Sequence, residues 1–196
     1  QVLAKVEAAR GKVIDGHAPG LSGKDLNAYL AAGISSDHES TTFDEAREKL
    51  RKGMYVMIRE GSSEKNLEEL LPLVTDQTYK RCLFVVDDRS CVDLLRDGDI
   101  DAVVRKAIAL GLEPVRAIQL ATLNAAERFG LRGVGGIAPG YVANLAVLSD
   151  LRQFAVDLVI YHGQLVARGG RALFTPSVPD NTAMTHTMHV KPFAVE

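Results

Sequence analysis

Two imidazoles and a pair of carboxylates stand at the polar ends of apolar stretches. They are His17 in Asp15-Gly16-His17-Ala18-Pro19-Gly20, His38 in Ser36-Asp37-His38-Glu39, and Asp87 with Asp88 in Val85-Val86-Asp87-Asp88-Arg89. Each stretch reads as the C-terminal tip of a β-strand. In a barrel of parallel strands such tips converge on one face, where active sites are built. Imidazole and carboxylate ligands around an open coordination position are what a hydrolytic metal site requires. A single histidine at a strand end is ordinarily structural; two at equivalent tips of successive strands point to a shared metal. Asp87 is favoured over Asp88 because it lies nearer the strand end, and a metal-site aspartate can also accept a proton from the activated water.

Other polar residues carry less. His162 precedes Gly163 in a hairpin-like turn, and His186 and His189 lie in an irregular tail, so surface roles are expected for all three. The glycines from Gly133 to Gly140 are no phosphate loop, because no Lys-Ser/Thr follows them and no strand-to-helix G-x-G-x-x-G is present. Arg105, Lys106 and Arg116 read as solvated helix faces. Cys82 and Cys91 sit in no zinc or redox spacing, which suits a reducing cytosol. The formal net charge of −2 leaves no basic footprint for nucleic acid. No signal peptide is visible, and no apolar run approaches the ~20 residues of a membrane span.

The elements that must position these groups alternate along the first two thirds of the chain. Strands are expected at Lys12–Asp15, Ile34–Asp37, Met54–Arg59 and Leu83–Val86, the last apolar enough to be buried on both faces. Helices are expected between them: one capped by Ser22 with Asp25 and ended by Gly33, one capped by Thr42 with Glu45 and ended by Gly53, and one striped by Leu67, Leu70 and Leu71. Helices at Asp101–Leu110 and Pro114–Ala121 follow, then a short one capped by Asn124 and Glu127 and ended by Gly130. Strands alternating with helices argue for a parallel α/β sheet, and four strands are half of an eight-stranded barrel. After Gly130, β-like runs at Asn144–Leu148, Leu158–Tyr161 and Leu165–Ala167 predict a small antiparallel β module. The domains expected are therefore residues 1–130, a partial (β/α)8 hydrolase barrel, and 131–196, a β-domain segment with its tail. Because the chain opens at Gln1 inside a helix-like pattern, it is expected to begin within a larger protein.

These motifs resemble the bacterial adenine deaminases, members of the amidohydrolase superfamily. The resemblance rests on Asp15–Gly20, Ser36–Glu39, the Asp87-Asp88 strand end, Ala121–Ala126, Gly136–Gly140 and Ala143–Val147. It implies a TIM-like barrel with a binuclear divalent-metal centre, manganese or iron with zinc as an alternative, and a flanking β domain. His17 and His38 match the fifth- and sixth-strand metal ligands. Asp87 matches the eighth-strand aspartate that binds metal and shuttles the proton, and Glu39 belongs to the same motif as an orienting group. The implied reaction is hydrolytic deamination of adenine to hypoxanthine and ammonia, in cytoplasmic purine salvage, by a homo-oligomer. The family's His-x-His pair and fourth-strand carboxylate have no counterpart here, so an N-terminal barrel half is needed as partner. Asp99 stands where the family carries histidine, and Asn144 where it carries aspartate. The rival readings are an amidohydrolase acting on another purine or cyclic amide, and a non-catalytic chain that completes a partner's barrel.

Overall fold

The computed structural model of the protein describes residues 2–177, 179–185, 187–189 and 191. The chain begins with α1 (Val2–Ala8), α2 (Gly23–Ala31), β1 (Ser36–Asp37), α3 (Phe43–Arg51), β2 (Tyr55–Arg59), α4 (Leu67–Leu70) and β3 (Cys82–Val85). Four helices follow without an intervening strand: α5 (Cys91–Asp97), α6 (Ile100–Ala109), α7 (Pro114–Ala121) and α8 (Leu123–Phe129). Then come β4 (Leu145–Asp150), β5 (Ala155–Tyr161), β6 (Gln164–Arg168), β7 (Arg171–Ala172) and a short α9 (Thr182–Thr185).

The first sheet is parallel with order β1-β2-β3. Each step crosses over through a helix, α3 or α4, as parallel pairing demands. Successive side chains of β2 and β3 alternate between two faces. Val56, Ile58, Cys82 and Phe84 enter a core shared with Leu67, Leu70, Val103, Val104, Ala107, Ala117 and Leu120. On the opposite face Met57 and Leu83 are buried too. Burial on both faces is why these strands read as continuous apolar runs.

Helix ends follow from local chemistry. Thr42 Oγ1 accepts the Glu45 N–H at 3.4 Å to start α3, and Gly53, at φ +89°, turns the chain away after it. The Glu113 carboxylate accepts from the Val115 and Arg116 N–H groups, capping α7 with Pro114 in its first turn. Gly130 ends α8 in the left-handed conformation, as its position suggests.

Several expectations need correction. Lys12–Asp15 forms no strand; Gly16 makes an isolated parallel bridge to Asp37, and Ser35 N–H reaches Ile14 O at 3.5 Å. The neighbouring strand is itself only two residues long, so there is no ladder for a longer pairing. Ser22 stands at the N-cap of α2, but its side chain makes no capping bond. Asn124 is not a cap: Thr122 holds that place, and the Asn124 amide donates to Tyr79 O and Cys82 O at 2.7 and 2.8 Å. α5 was not expected; its N-terminus is capped by Ser90, which accepts the Asp93 N–H at 3.1 Å, while Val92 and Leu95 remain exposed. With no buried stripe, its apolar pattern gave little signal.

The second sheet is antiparallel with order β4-β5-β6-β7. Its β5–β6 hairpin turns at His162 and Gly163, with φ +49° and +79°, a two-residue loop with both φ values positive. A mainly apolar cavity of about 600 Å³ lies between this sheet and the helices, lined by Ile118, Ala121, Ala126, Leu145, Leu148 and Phe154 among others. It contains none of the candidate chemical residues.

Candidate metal centre

His17 follows Gly16, where the chain runs so close to its neighbours that only glycine fits. An added Cβ would lie 2.9 Å from Ser36 O and would also collide with the Tyr29 hydroxyl. That hydroxyl accepts the His17 N–H at 3.1 Å. The next loop residues are held as well: the Ala18 N–H donates to Asp37 Oδ1 at 2.8 Å, and the Gly20 N–H donates to Glu45 Oε1 at 2.7 Å.

His38 leaves the end of β1. Its Nδ1 lies 3.2 Å from Asp15 Oδ2, while Asp15 Oδ1 accepts the Ser36 hydroxyl at 2.6 Å. Ser36 Oγ in turn accepts from Arg128 Nη2 at 2.6 Å. A histidine that donates from Nδ1 to a carboxylate keeps Nε2 free as a ligand, the usual arrangement behind a metal-bound imidazole. The carboxylate of Asp15 thus has an orienting place, which its position in the motif did not reveal.

Glu39 joins the two imidazoles. Its Oε1 is 3.5 Å from His17 Nδ1 and 3.5 Å from His38 Nε2. Ligand atoms of His17, His38 and Glu39 all lie within 4.8 Å of one another. Two imidazoles and a carboxylate are a donor set suited to a divalent transition metal with coordination positions left open. The residues present fit such an ion.

Asp87 stands outside this trio and is linked to it by Arg59. The Arg59 guanidinium, 2% exposed, donates to Asp87 Oδ2 at 2.8 Å and to both oxygens of Glu39. Burial disfavours the guanidinium charge, but Glu39 and Asp87 outweigh it and hold its pKa above the ordinary value. Asp87 itself sits at φ +53°, a left-handed turn that aspartate tolerates better than most residues. Asp88 faces another task. It accepts from the Ser62 and Ser63 N–H groups at 3.0 and 2.9 Å and from the Ser63 hydroxyl, which together draw its pKa down to about 2. It therefore fastens the loop after β2, where Gly61 leaves room for its carboxylate.

Besides Asp37, four buried charges escaped the sequence reading, Arg128 on Ser36 among them. Arg59 gave no signal beyond its place at the end of an apolar strand. Lys49 is fully buried, and its signal was position: it shares the buried face of α3 with Ala46. Its ammonium meets Asp37, whose own burial raises its pKa. The Lys49 bond and charge, with the Ala18 and Ser40 bonds, overcome that and leave it lowered. Glu60, the fourth, pairs with Lys106 at 2.8 Å, so Lys106 is not simply a solvated residue. Arg116 likewise stacks on Tyr79 and pairs with Asp76. His162 occupies the exposed β5–β6 turn and His189 is exposed, while His186 lies outside the described residues.

The Amidohydrolase family profile matches residues 1–166. The chain belongs to the amidohydrolase family. Among its relatives, this amidohydrolase chain is 67% identical to an adenine deaminase of Dehalococcoides mccartyi, over 100% of the chain and 34% of the relative. It is 49% identical to adenine deaminase 2 of Carboxydothermus hydrogenoformans, over 97% of the chain and 34% of that protein. It thus spans about a third of the length of the curated relatives it matches. Among solved structures it is similar to the β-aspartyl dipeptidase of Fervidobacterium islandicum AW-1, with TM-score 0.66 and 16% identity over 89% of this chain and 54% of that one. The N-acetyl-D-glucosamine-6-phosphate deacetylase of Mycobacterium smegmatis is also similar, with TM-score 0.66 and 22% identity over 85% and 51%. At these identities the structural likeness speaks for the α/β fold alone. Among the described residues no helix is long and apolar enough to cross a membrane.

Proposed function

We propose that this amidohydrolase chain carries part of the active site of an adenine deaminase, which converts adenine and water to hypoxanthine and ammonia. The observation that carries the reading is the convergence of His17, His38 and Glu39 in a chain 67% identical to a named adenine deaminase. In this reading the parallel strands and the Gly16 bridge are half of a (β/α)8 barrel, residues 1–130, and residues 131–196 belong to a flanking β domain. The rest of a relative-length polypeptide supplies the other ligands.

His17 and His38 would hold a divalent metal with Glu39 beside them, and the family resemblance favours a binuclear manganese or iron centre over zinc. When bound there, such an ion would supply a water acidified toward a pKa of ~7 as the nucleophile. Asp87, fixed by Arg59, takes the proton of the attacking water and passes it to the leaving amine. Asp15 holds His38 in the tautomer that presents Nε2. Asp88 has no chemical part. Cytoplasmic purine salvage and a homo-oligomeric assembly complete the proposal.

The test joins this sequence to the remaining two thirds of a relative's length and measures metal content and adenine-dependent ammonia release. Turnover is expected with stoichiometric metal, and His38→Ala should lower both metal occupancy and rate, the rate by ~100-fold or more. Stoichiometric metal without adenine turnover would move the substrate to another purine or cyclic amide. Absence of metal would overturn the hydrolase reading and favour a non-catalytic chain.

A further inference from the structure

His17 and His38 lie on different segments, and neither residue is inside a helix or a strand. Something outside regular structure must set the distance between them. The side chain placed to do so is Lys49, on α3, whose ammonium is fully buried beneath both segments. Its Nζ donates to Ala18 O at 2.7 Å, one residue beyond His17. It also donates to Asp37 Oδ2 at 2.9 Å, one residue before His38, and to Ser40 Oγ at 2.9 Å, two residues beyond it. A fourth oxygen, Glu45 Oε1 at 2.7 Å, is the one that accepts the Gly20 N–H. Asp37 closes the circuit by accepting the N–H groups of Ala18, Glu39 and Ser40 at 2.8, 3.2 and 3.0 Å. Ala18 is thus gripped by both its N–H and its carbonyl.

We propose that Lys49 is a positioning residue that ties the His17 loop to the His38 turn and so sets the imidazole separation on which metal capture depends. The inference rests on the metal-centre reading above, but the tie itself is open to test without a metal. Lysine suits the task because its ammonium is a compact point charge whose donors fan out among several oxygens. A planar guanidinium cannot match that spread. Its hydrogen bonds go to neither imidazole, so it acts through the Ala18 carbonyl and the Asp37, Ser40 and Glu45 side chains that hold the two segments.

The experiment uses the relative-length polypeptide of the preceding test and compares its wild-type form with Lys49→Met, Lys49→Arg and, as a control for loss of a lysine at the end of the same helix, Lys52→Met. Co²⁺ is titrated and followed by its visible absorption, and amide hydrogen exchange is read at Ala18, Ser40 and the β2–β3 ladder. In Lys49→Met the expected result is Co²⁺ affinity weakened about 10- to 100-fold, the range typical when support behind metal ligands is removed. Exchange at Ala18 and Ser40 should become fast while the ladder amides stay protected, and Lys52→Met should match wild type. Unchanged affinity and unchanged Ala18 and Ser40 protection in Lys49→Met would overturn the proposal. If wild type binds no Co²⁺, the metal reading fails and exchange alone decides the tie, its loss in Lys49→Met supporting the proposal and its persistence overturning it. If Lys49→Met loses ladder protection, Lys49→Arg decides by the same criteria, because it keeps the buried charge while giving up the donor geometry.

Discussion

Arg59 concentrates the electrostatics of the site at the residue scale. Its guanidinium is 2% exposed and faces Glu39, at 15% exposure, and Asp87, at 41%. Removing one partner of a buried ion pair is costly because the other charges stay where they are. Arg59→Met is expected to destabilise the chain by about 3 kcal/mol, the low end of the range for buried pairs, because Asp87 still reaches water. Urea unfolding would measure it, and adding Glu39→Gln should recover part of the loss; a cost below about 1 kcal/mol would place the pair among ordinary surface salt bridges. His17 and His38 could be picked out from their strand-end positions, and Glu39 only through the family resemblance. The support given by Asp15, Arg59 and Lys49 could not, because each reaches its partner across tens of residues or through a helix.

Elements are joined by single polar side chains as much as by apolar packing. Asn124, on α8, is buried and holds the carbonyls of Tyr79 and Cys82 just where β3 begins. Asn124→Ala would leave both carbonyls without that donor and is expected to cost about 1–3 kcal/mol. The loss should appear as a lower urea midpoint with an unchanged slope, and a cost within about 0.5 kcal/mol of zero would mean that β3 is positioned by its core side chains alone. Short caps were legible because they are local. Thr42 and Glu45 are three residues apart, and the Pro114 and Gly130 signals lie inside one turn. Asn124 looked like a cap for the same reason, yet its amide is spent on a strand more than forty residues earlier.

For the whole molecule, the parallel sheet matters most for behaviour in solution. Among the described residues β3 pairs only with β2, and β1 carries just the Gly16 bridge beyond its two-residue ladder. Unpaired strand edges invite association. The 196-residue chain on its own is expected to show concentration-dependent association in sedimentation velocity at micromolar protein. A monodisperse monomer over that range would count against the half-barrel proposal. The same exposure extends to the cavity between the antiparallel sheet and α7–α8, whose apolar lining adds to the association expected.

Alternation of strand and helix, the helix stops and the two histidine motifs were readable because each is encoded by residues within a few positions of one another. Apolar runs state that β2 and β3 are buried, and Thr42, Gly53 and Gly130 state where helices begin and end. What no local pattern encodes is which charged side chain turns inward and what it meets there. Folding brought Glu39 between the two imidazoles, set Asp87 behind Arg59, gave Asp88 to the Ser62-Ser63 turn, and drew Lys49 beneath both histidine segments. The strand expected at Lys12–Asp15 shrank to one bridge for the same reason, since pairing needs a partner ladder that only the folded neighbour can offer. Short-range propensity and periodicity belong to the chain itself. Burial of charge is decided by distant partners, because a buried ion is tolerated only where the tertiary structure supplies its counter-charge and hydrogen bonds.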